Sequence, residues 1–303
     1  MTLKDLIDYK KLFNLISNLE SAIVAREIIQ AASGLKSTRL ILSESNILKI
    51  VQLLKKFKIS YFVLDTPVYC LLEGNEFKWS NRILLKEELD KFPIVNIEKN
   101  YCIYLDARKR FELLKNSDFG VDDSLIAHYL GIPECCSQFY SKYLKEASLY
   151  NLDFIPFCFN ETNYKHDGWC NVLSQFLGYC LFSHFPCSLE CENTKNISQN
   201  ALSFIKHLKI DHYSAFLSCH FKSYIYGVHD KILTPISIMK KEGINWYCKE
   251  DDKFYSSFTT SRKAKTFLNI KYLRRSICSI QHETKLKKEQ NELYYIFEPG
   301  MDI

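Results

Sequence analysis

Four cysteines in two short motifs are the residues of this chain best suited to chemistry. The first motif, Pro-Glu-Cys-Cys, ends in Cys135 and Cys136, and the second, His-Phe-Pro-Cys-Ser-Leu-Glu-Cys, runs from His184 to Cys191. The pattern predicts that each motif opens a helix, where free backbone N–H groups and the helix dipole stabilise negative charge. A cysteine in such a first turn has a lowered pKa, which prepares it to act as a metal ligand or a nucleophile.

Together the motifs supply a candidate ligand set of four thiols and one imidazole. This set is enough for a tetrahedral zinc shell or an iron–sulfur cluster, and soft thiolates favour zinc, cuprous copper or iron–sulfur over magnesium or calcium. Neighbouring cysteines diverge around a helix, so both join one ion only where the backbone is irregular, and a multinuclear cluster tolerates the divergence better. We expect the two helix starts to converge in space. The predicted metal ligands are Cys135, Cys136, His184, Cys187 and Cys191.

At these residues the chain resembles a family of uncharacterised prokaryotic proteins known only as a domain of unknown function. In that family a hydrophobic-Gly-aromatic-Pro-Glu-Cys-Cys segment precedes a His-Phe-Pro-Cys-Ser-x-x-Cys segment. The resemblance covers residues 125–210 and departs from the pattern at Ile132, where an aromatic residue is expected. It implies that the cysteines form one shared site, and it implies no particular substrate or reaction.

Three hypotheses about function follow from these motifs. The first is a metal-dependent enzyme that performs redox, sulfur or Lewis-acid chemistry on a small-molecule substrate, with His184 and Cys187 as catalytic residues. The second is a metal-free thiol enzyme in which Cys187 or Cys135 is the nucleophile and His184 is its base. The third is a structural zinc module or a cysteine-packed helical module that presents the basic segment at residues 261–290 to RNA or another acidic partner. The sequence leaves the metal, the substrate and the oligomeric state open.

Plainer interpretations exist for the same residues. Buried cysteines often behave as small apolar side chains, which is the expectation for Cys180 in an apolar stripe. A histidine such as His184 is often a core residue bonded to a backbone carbonyl. The pair His166 and Asp167 follows a polar stretch and is expected in an ordinary exposed turn, although such a loop can also cover a site.

A basic segment at residues 261–290 is a further feature of the sequence that could bind a partner. It carries nine lysines and arginines against two glutamates, while the chain as a whole has a formal net charge of +5. Such a segment can bind a phosphate-rich partner, but most are solvated faces. The sequence thus allows a nucleic-acid partner here without any recognised binding motif to support it.

Composition indicates a globular protein with a substantial core, since 47% of its 303 residues are hydrophobic. We expect a cytoplasmic protein, because the first residues lack the basic and apolar regions of a secretion signal. No membrane partner is expected, since the most apolar stretch, residues 176–185, is about half as long as a membrane span. The twelve cysteines are then expected to be reduced thiols.

The predicted fold class is α+β, a mixed α/β fold in three domains. Residues 1–117 form a small α/β unit with a long helix at 3–33, a β–α–β pattern and a further helix from Ala107. Residues 118–210 form a helical domain that carries the cysteine motifs, with helices starting at Asp122, Pro133 (as its first helical residue), Asn171 and Ser188. Residues 211–303 form an α+β region whose aromatic runs read as antiparallel strands that could return to the N-terminal sheet.

Overall fold

A computed structural model gives the fold of the protein. It describes residues 3–72, 83–84, 96–111, 123–148, 154–162 and 166–221, followed by seven short strands between residues 223 and 297. Helices and antiparallel sheets confirm the predicted α+β class. Of the helices in the described residues, none has both the length and the apolar character needed to cross a membrane.

The described part of the chain contains eight α-helices, two 3₁₀ helices and twelve strands. The α-helices are α1 (Leu3–Leu19), α2 (Ala22–Ala32), α3 (Glu44–Lys56), α4 (Asp123–Leu130), α5 (Glu134–Ser148), α6 (Ile155–Asn160), α7 (Glu192–His207) and α8 (Tyr213–His220). The 3₁₀ helices are Gly168–Cys170 and Val172–Leu177. The strands are β1 (Thr38–Ser43), β2 (Tyr61–Val63), β3 (Val68–Leu72), β4 (Ile83–Leu84), β5 (Asn96–Leu105), β6 (Ser223–Gly227), β7 (Ile232–Ile236), β8 (Met239–Glu242), β9 (Asn245–Cys248), β10 (Lys253–Phe254), β11 (Leu268–Asn269) and β12 (Tyr294–Phe297).

The N-terminal sheet is built around the ten-residue strand β5. Strand β1 runs antiparallel along one edge of β5, with Thr38 opposite Leu105. Strands β2 and β3 follow one another along the other edge, where Tyr61 is also opposite Leu105 and Val68 is opposite Asn100. Strands β1 and β2 are therefore parallel to one another. Because α3 connects them and β5 lies between them, the three strands and the helix form a split β–α–β arrangement. The predicted β–α–β pattern is confirmed, with a later strand inserted into it.

Two predicted helices in the N-terminal unit are wrong. The helix predicted over residues 3–33 is two helices, because the hydroxyl of Ser21 accepts a hydrogen bond from the Val24 N–H at 3.2 Å and caps a new start. The helix predicted from Ala107 is absent over residues 107–111. There the Asp106 carboxylate accepts hydrogen bonds from the N–H groups of Arg108 and Arg110, which holds the backbone in a turn.

Of three boundaries predicted in the helical region, one is confirmed and two are wrong. Helix α4 ends at Gly131, which has a φ of +71°, as the sequence predicts. Pro133 lies just before α5, not at its first helical position, because its carbonyl accepts the first helical hydrogen bond, from Ser137 at 2.9 Å. The helix predicted over Asn171–Leu181 is instead a 3₁₀ helix that stops at Gly178, whose φ is +76°.

The chain divides into two compact units. One comprises residues 1–153 with 200–213, and the other comprises residues 154–199 with 214–303. The predicted domain boundaries near residues 117 and 210 stay a prediction.

Strands β6 to β12 confirm the strands predicted after residue 210. Strands β12, β6 and β7 form one antiparallel sheet, and β8–β9 and β10–β11 are separate pairs. The suggested return to the N-terminal sheet is therefore wrong for β12, which pairs with β6. The basic residues of segment 261–290 lie outside the described residues.

Candidate metal centre

The first pair of candidate ligands lies in the first turn of α5. The Pro133 carbonyl closes this turn, since it accepts from the N–H of Cys136 at 3.0 Å as well as from that of Ser137 at 2.9 Å. Cys136 faces inward as predicted and is 1% exposed, while Cys135 is half-buried. Their sulfur atoms are only 3.8 Å apart, so the divergence expected for neighbouring cysteines is wrong. Each sulfur lies one rotatable bond beyond the backbone, so rotation about χ1 can bring the two sulfurs together although the Cα–Cβ bonds diverge.

The second pair lies on the segment that leads into α7. The predicted helix start at Ser188 is wrong, since α7 begins at Glu192. The Ser188 hydroxyl accepts from the N–H of Glu190 at 3.4 Å, a local bond of the kind that competes with helix formation. Cys191 is thus the residue before the helix, not in its first turn, and its carbonyl accepts from the N–H of Lys195 at 3.0 Å. It still lies at the positive end of the dipole of α7.

Two buried cysteines outside the motifs contact this segment. The thiol of Cys158, on α6, donates to the Pro186 carbonyl at 3.1 Å. The thiol of Cys170 donates to the Cys191 carbonyl at 3.2 Å. Burial raises the pKa of Cys170 far above its usual value, so this group is a protonated donor at neutral pH. Neither contact can be predicted from the sequence, because only tertiary structure brings these residues to the second motif.

The sulfur atoms of Cys135, Cys136, Cys187 and Cys191 all lie within 4.8 Å of one another. The two motifs therefore converge as predicted. A tetrahedral zinc ion with Zn–S bonds of about 2.3 Å holds its sulfurs about 3.8 Å apart. An iron–sulfur cluster separates its thiolates by further irons and sulfides, so ligands on different irons are spread more widely. The spacing fits one ion better than a cluster, contrary to the preference derived from sequence.

His184 is not one of the residues in this close group, which among the described residues consists of the four cysteines. Its Nε2 lies 2.9 Å from the hydroxyl of Thr194, a buried residue of α7. Its ring is 5.4 Å from that of Phe182. These contacts fix the imidazole next to the start of the second motif. Its role as ligand or catalyst stays a prediction.

A buried histidine holds the region that precedes the second motif. The Nε2 of His220 accepts from the N–H of Leu181 at 3.0 Å, so the proton is on Nδ1, which donates to the Gly168 carbonyl at 3.0 Å. The side chain of Asn171 donates to the carbonyl of His220 at 2.9 Å. A Cβ at Gly168 would lie 2.5 Å from the ring of Phe221. The 3₁₀ helices are thus fixed against α8 by groups that sequence analysis did not single out.

His166 and Asp167 do not form the exposed turn that the sequence suggested. His166 is 7% exposed and packs edge-on against Phe159, and burial lowers its pKa to about 4. The Asp167 carboxylate accepts from the N–H of Trp169 at 2.9 Å and lies 3.3 Å from the Lys195 ammonium group. These contacts attach α7 to the 3₁₀ helix at residue 168.

The nine cysteines whose side chains are described form no disulfide with one another. No protein-family model matches the chain, and neither does any curated protein or solved structure. The resemblance of residues 125–210 to an uncharacterised family therefore rests on the two motifs alone.

Proposed function

We propose that this protein binds one metal ion, zinc or iron, through the thiolates of Cys135, Cys136, Cys187 and Cys191, and that it is an enzyme. The observation that carries the metal proposal is the mutual spacing of the four sulfurs, all within 4.8 Å. Four soft donors at that spacing suit a tetrahedral zinc or iron ion.

The cysteines lie where the helices stabilise the negative charge of the thiolates that a metal site needs. A ligating cysteine must be deprotonated, and binding of the metal releases its proton. Cys135 and Cys136 lie in the first turn of α5, and Cys191 directly precedes α7. The positive ends of the two helix dipoles stabilise thiolates at these positions.

The kind of chemistry follows from the completeness of the ligand shell. A catalytic zinc that acts as a Lewis acid keeps one position open for water or substrate, whereas four protein thiolates close the shell. We therefore infer redox or sulfur chemistry. A bound iron would supply electron transfer, and a bound zinc, which has no redox chemistry, would hold Cys135 or Cys187 as a thiolate available to a substrate. Cys136 and Cys191 are buried, while Cys135 and Cys187 are half-buried, so a small molecule would approach the site from the side of Cys135 and Cys187.

His184 is the acid–base candidate of this proposal. It lies three residues before Cys187 and its imidazole is held by Thr194 at 2.9 Å. An imidazole can donate a proton through one ring nitrogen and accept one through the other, so His184 is placed to serve a substrate that reacts at sulfur.

A metal-free thiol enzyme is the second candidate. It is favoured by the half-buried position of Cys135 in the first turn of α5, which leaves this residue partly exposed to solvent. The nucleic-acid partner suggested by residues 261–290 stays a prediction, as does the cytoplasmic location.

Elemental analysis with a visible spectrum on protein purified without air tests the proposal. We expect about one zinc or iron per chain, lost in the Cys187→Ser variant and retained in Cys102→Ser, a buried cysteine of β5. Iron with charge-transfer absorption would support redox chemistry. Zinc would support the metal site, but it would fit a structural role as well as an enzyme, because four-cysteine zinc sites are typically structural. Folded protein that binds neither zinc nor iron and is alkylated at Cys135 or Cys187 faster than at Cys136 or Cys191 would replace the proposal by the thiol enzyme.

A further inference from the structure

We propose that Cys158 and Cys170 are positioning residues of the metal site, whose thiols hold the backbone of the segment that carries Cys187 and Cys191. The inference rests on the proposed metal site and adds two residues to it. Each thiol is fully buried and donates one hydrogen bond to a carbonyl of this segment, one near each end.

Cys158 acts at the beginning of the segment. Its sulfur lies 3.1 Å from the Pro186 carbonyl oxygen, and that carbonyl belongs to the peptide bond that leads directly into Cys187. The backbone carbonyl of Cys158 accepts from the Thr162 hydroxyl at 2.7 Å, and the same hydroxyl accepts from the N–H of Leu189 at 2.8 Å. The end of α6 thereby holds the segment on both sides of Cys187.

Cys170 acts at the end of the segment. Its sulfur lies 3.2 Å from the Cys191 carbonyl oxygen, which also accepts the first hydrogen bond of α7 from Lys195. A carbonyl oxygen has two lone pairs and can accept both donors. The thiol of Cys170 therefore fixes the carbonyl at the point where α7 begins, and with it the direction in which the Cys191 side chain leaves the backbone.

The geometry assigns different tasks to chemically identical side chains. The four cysteines of the motifs have their sulfurs together, whereas Cys158 and Cys170 point theirs at backbone oxygens. Partners that orient the ligands of a metal typically change its affinity by 10- to 100-fold when they are mutated. Serine retains a hydroxyl donor at these positions and alanine does not, so the two substitutions separate hydrogen bonding from simple filling of space.

Zinc affinity, measured on the full chain by competition with a chromophoric chelator, tests this inference. We expect Cys158→Ala and Cys170→Ala to weaken zinc binding by about tenfold or more, and the corresponding serine variants to stay within a few-fold of the unsubstituted protein. The visible spectrum of the cobalt-loaded protein should shift in the alanine variants and return in the serine variants. The matched control is Cys102→Ala, which removes an equally buried thiol from β5 and should alter neither quantity.

The outcomes separate this inference from the metal site itself. If the unsubstituted protein binds zinc and the alanine variants bind it equally well, the positioning role is overturned and the metal site stands. Serine variants as weak as alanine would also overturn it, since the donor would then be irrelevant. If the unsubstituted protein binds neither zinc nor iron, the metal site and the positioning role fail together. Should an alanine variant not fold, valine at the same position removes the donor while filling the space.

Discussion

The sulfur atoms of Cys135 and Cys136 lie 3.8 Å apart although the two residues are neighbours on one regular helix. This separation equals the sulfur–sulfur edge of a tetrahedral zinc site, about 3.8 Å for Zn–S bonds of about 2.3 Å. A Cys-Cys pair in a first helical turn can therefore supply two corners of one tetrahedron. The usual Cys-x-x-Cys spacing is not required for that geometry.

The exposure of the four cysteines predicts an order of chemical reactivity. In metal-free protein, iodoacetamide should label the half-buried Cys135 and Cys187 before the buried Cys136 and Cys191, because alkylation needs an accessible thiolate. Bound metal should protect all four. Mass spectrometry of the labelled peptides measures the order, and equal labelling with and without zinc would argue against shared ligation.

Removal of the metal should destabilise the protein. The four ligands come from two segments about fifty residues apart, so a bound ion ties distant parts of the chain together and stabilises only the folded state. At a free metal concentration a thousandfold above Kd the stabilisation is about 4 kcal/mol. Thermal unfolding with and without a chelator measures the effect. A variant with all four cysteines replaced by serine should not respond to the chelator, and an equal response there would contradict the prediction.

His166 should make stability depend on pH. Burial lowers its pKa from 6.5 to about 4, so between these values the unfolded chain binds a proton that the folded chain does not. Stability should therefore fall as the pH drops from about 6.5 to about 4, by about 3 kcal/mol in total from this residue. Urea unfolding across this range should show a shallower slope for His166→Gln. The exposed His128→Gln should keep the original slope, and an unchanged slope in His166→Gln would refute the prediction.

Gly168 should tolerate no side chain while Phe221 is present. An alanine Cβ would lie 2.5 Å from the Phe221 ring, and overpacking of this kind costs about 1–3 kcal/mol. The ring also packs edge-on against Trp169 at 5.1 Å, which limits its freedom to move away. In a Phe221→Ala background the same substitution should cost much less. Urea denaturation of the four proteins measures the coupling, and additive losses would show that the ring is not the obstacle.

Local patterns in the sequence predicted much of the site. The helical repeat correctly placed Cys136 inward, and Gly131 was correctly predicted to mark the end of a helix. The stop at Gly178 was not predicted. The four cysteines were identified as one group because thiols at short spacing near helix starts are typical metal ligands or nucleophiles. The apolar periodicity, however, predicted one helix over residues 3–33 and did not reveal that Ser21 separates α1 from α2.

Non-local contacts set the limits of that prediction. Nothing in the sequence near β1 and β2 indicates that β5 is inserted between them, because strand pairing joins residues far apart in the chain. The same holds for Cys158 and Cys170, which meet Pro186 and Cys191 only in the folded protein. The side chains of Ser188 and Asp106 form local hydrogen bonds where the sequence predicted helices to begin, at Ser188 and Ala107. Short polar side chains of this kind compete with helical hydrogen bonding.

X-ray absorption spectroscopy of the metal-bound protein tests the central claim most directly, because it measures the ligands around the ion itself. The four-cysteine site predicts four sulfur atoms at about 2.3 Å and no second metal nearby. The Cys191→Ser variant should replace one sulfur by a lighter atom or lose the metal altogether. A neighbouring iron would contradict the claim of a single ion, and nitrogen or oxygen ligands in place of sulfur would contradict the four-cysteine shell.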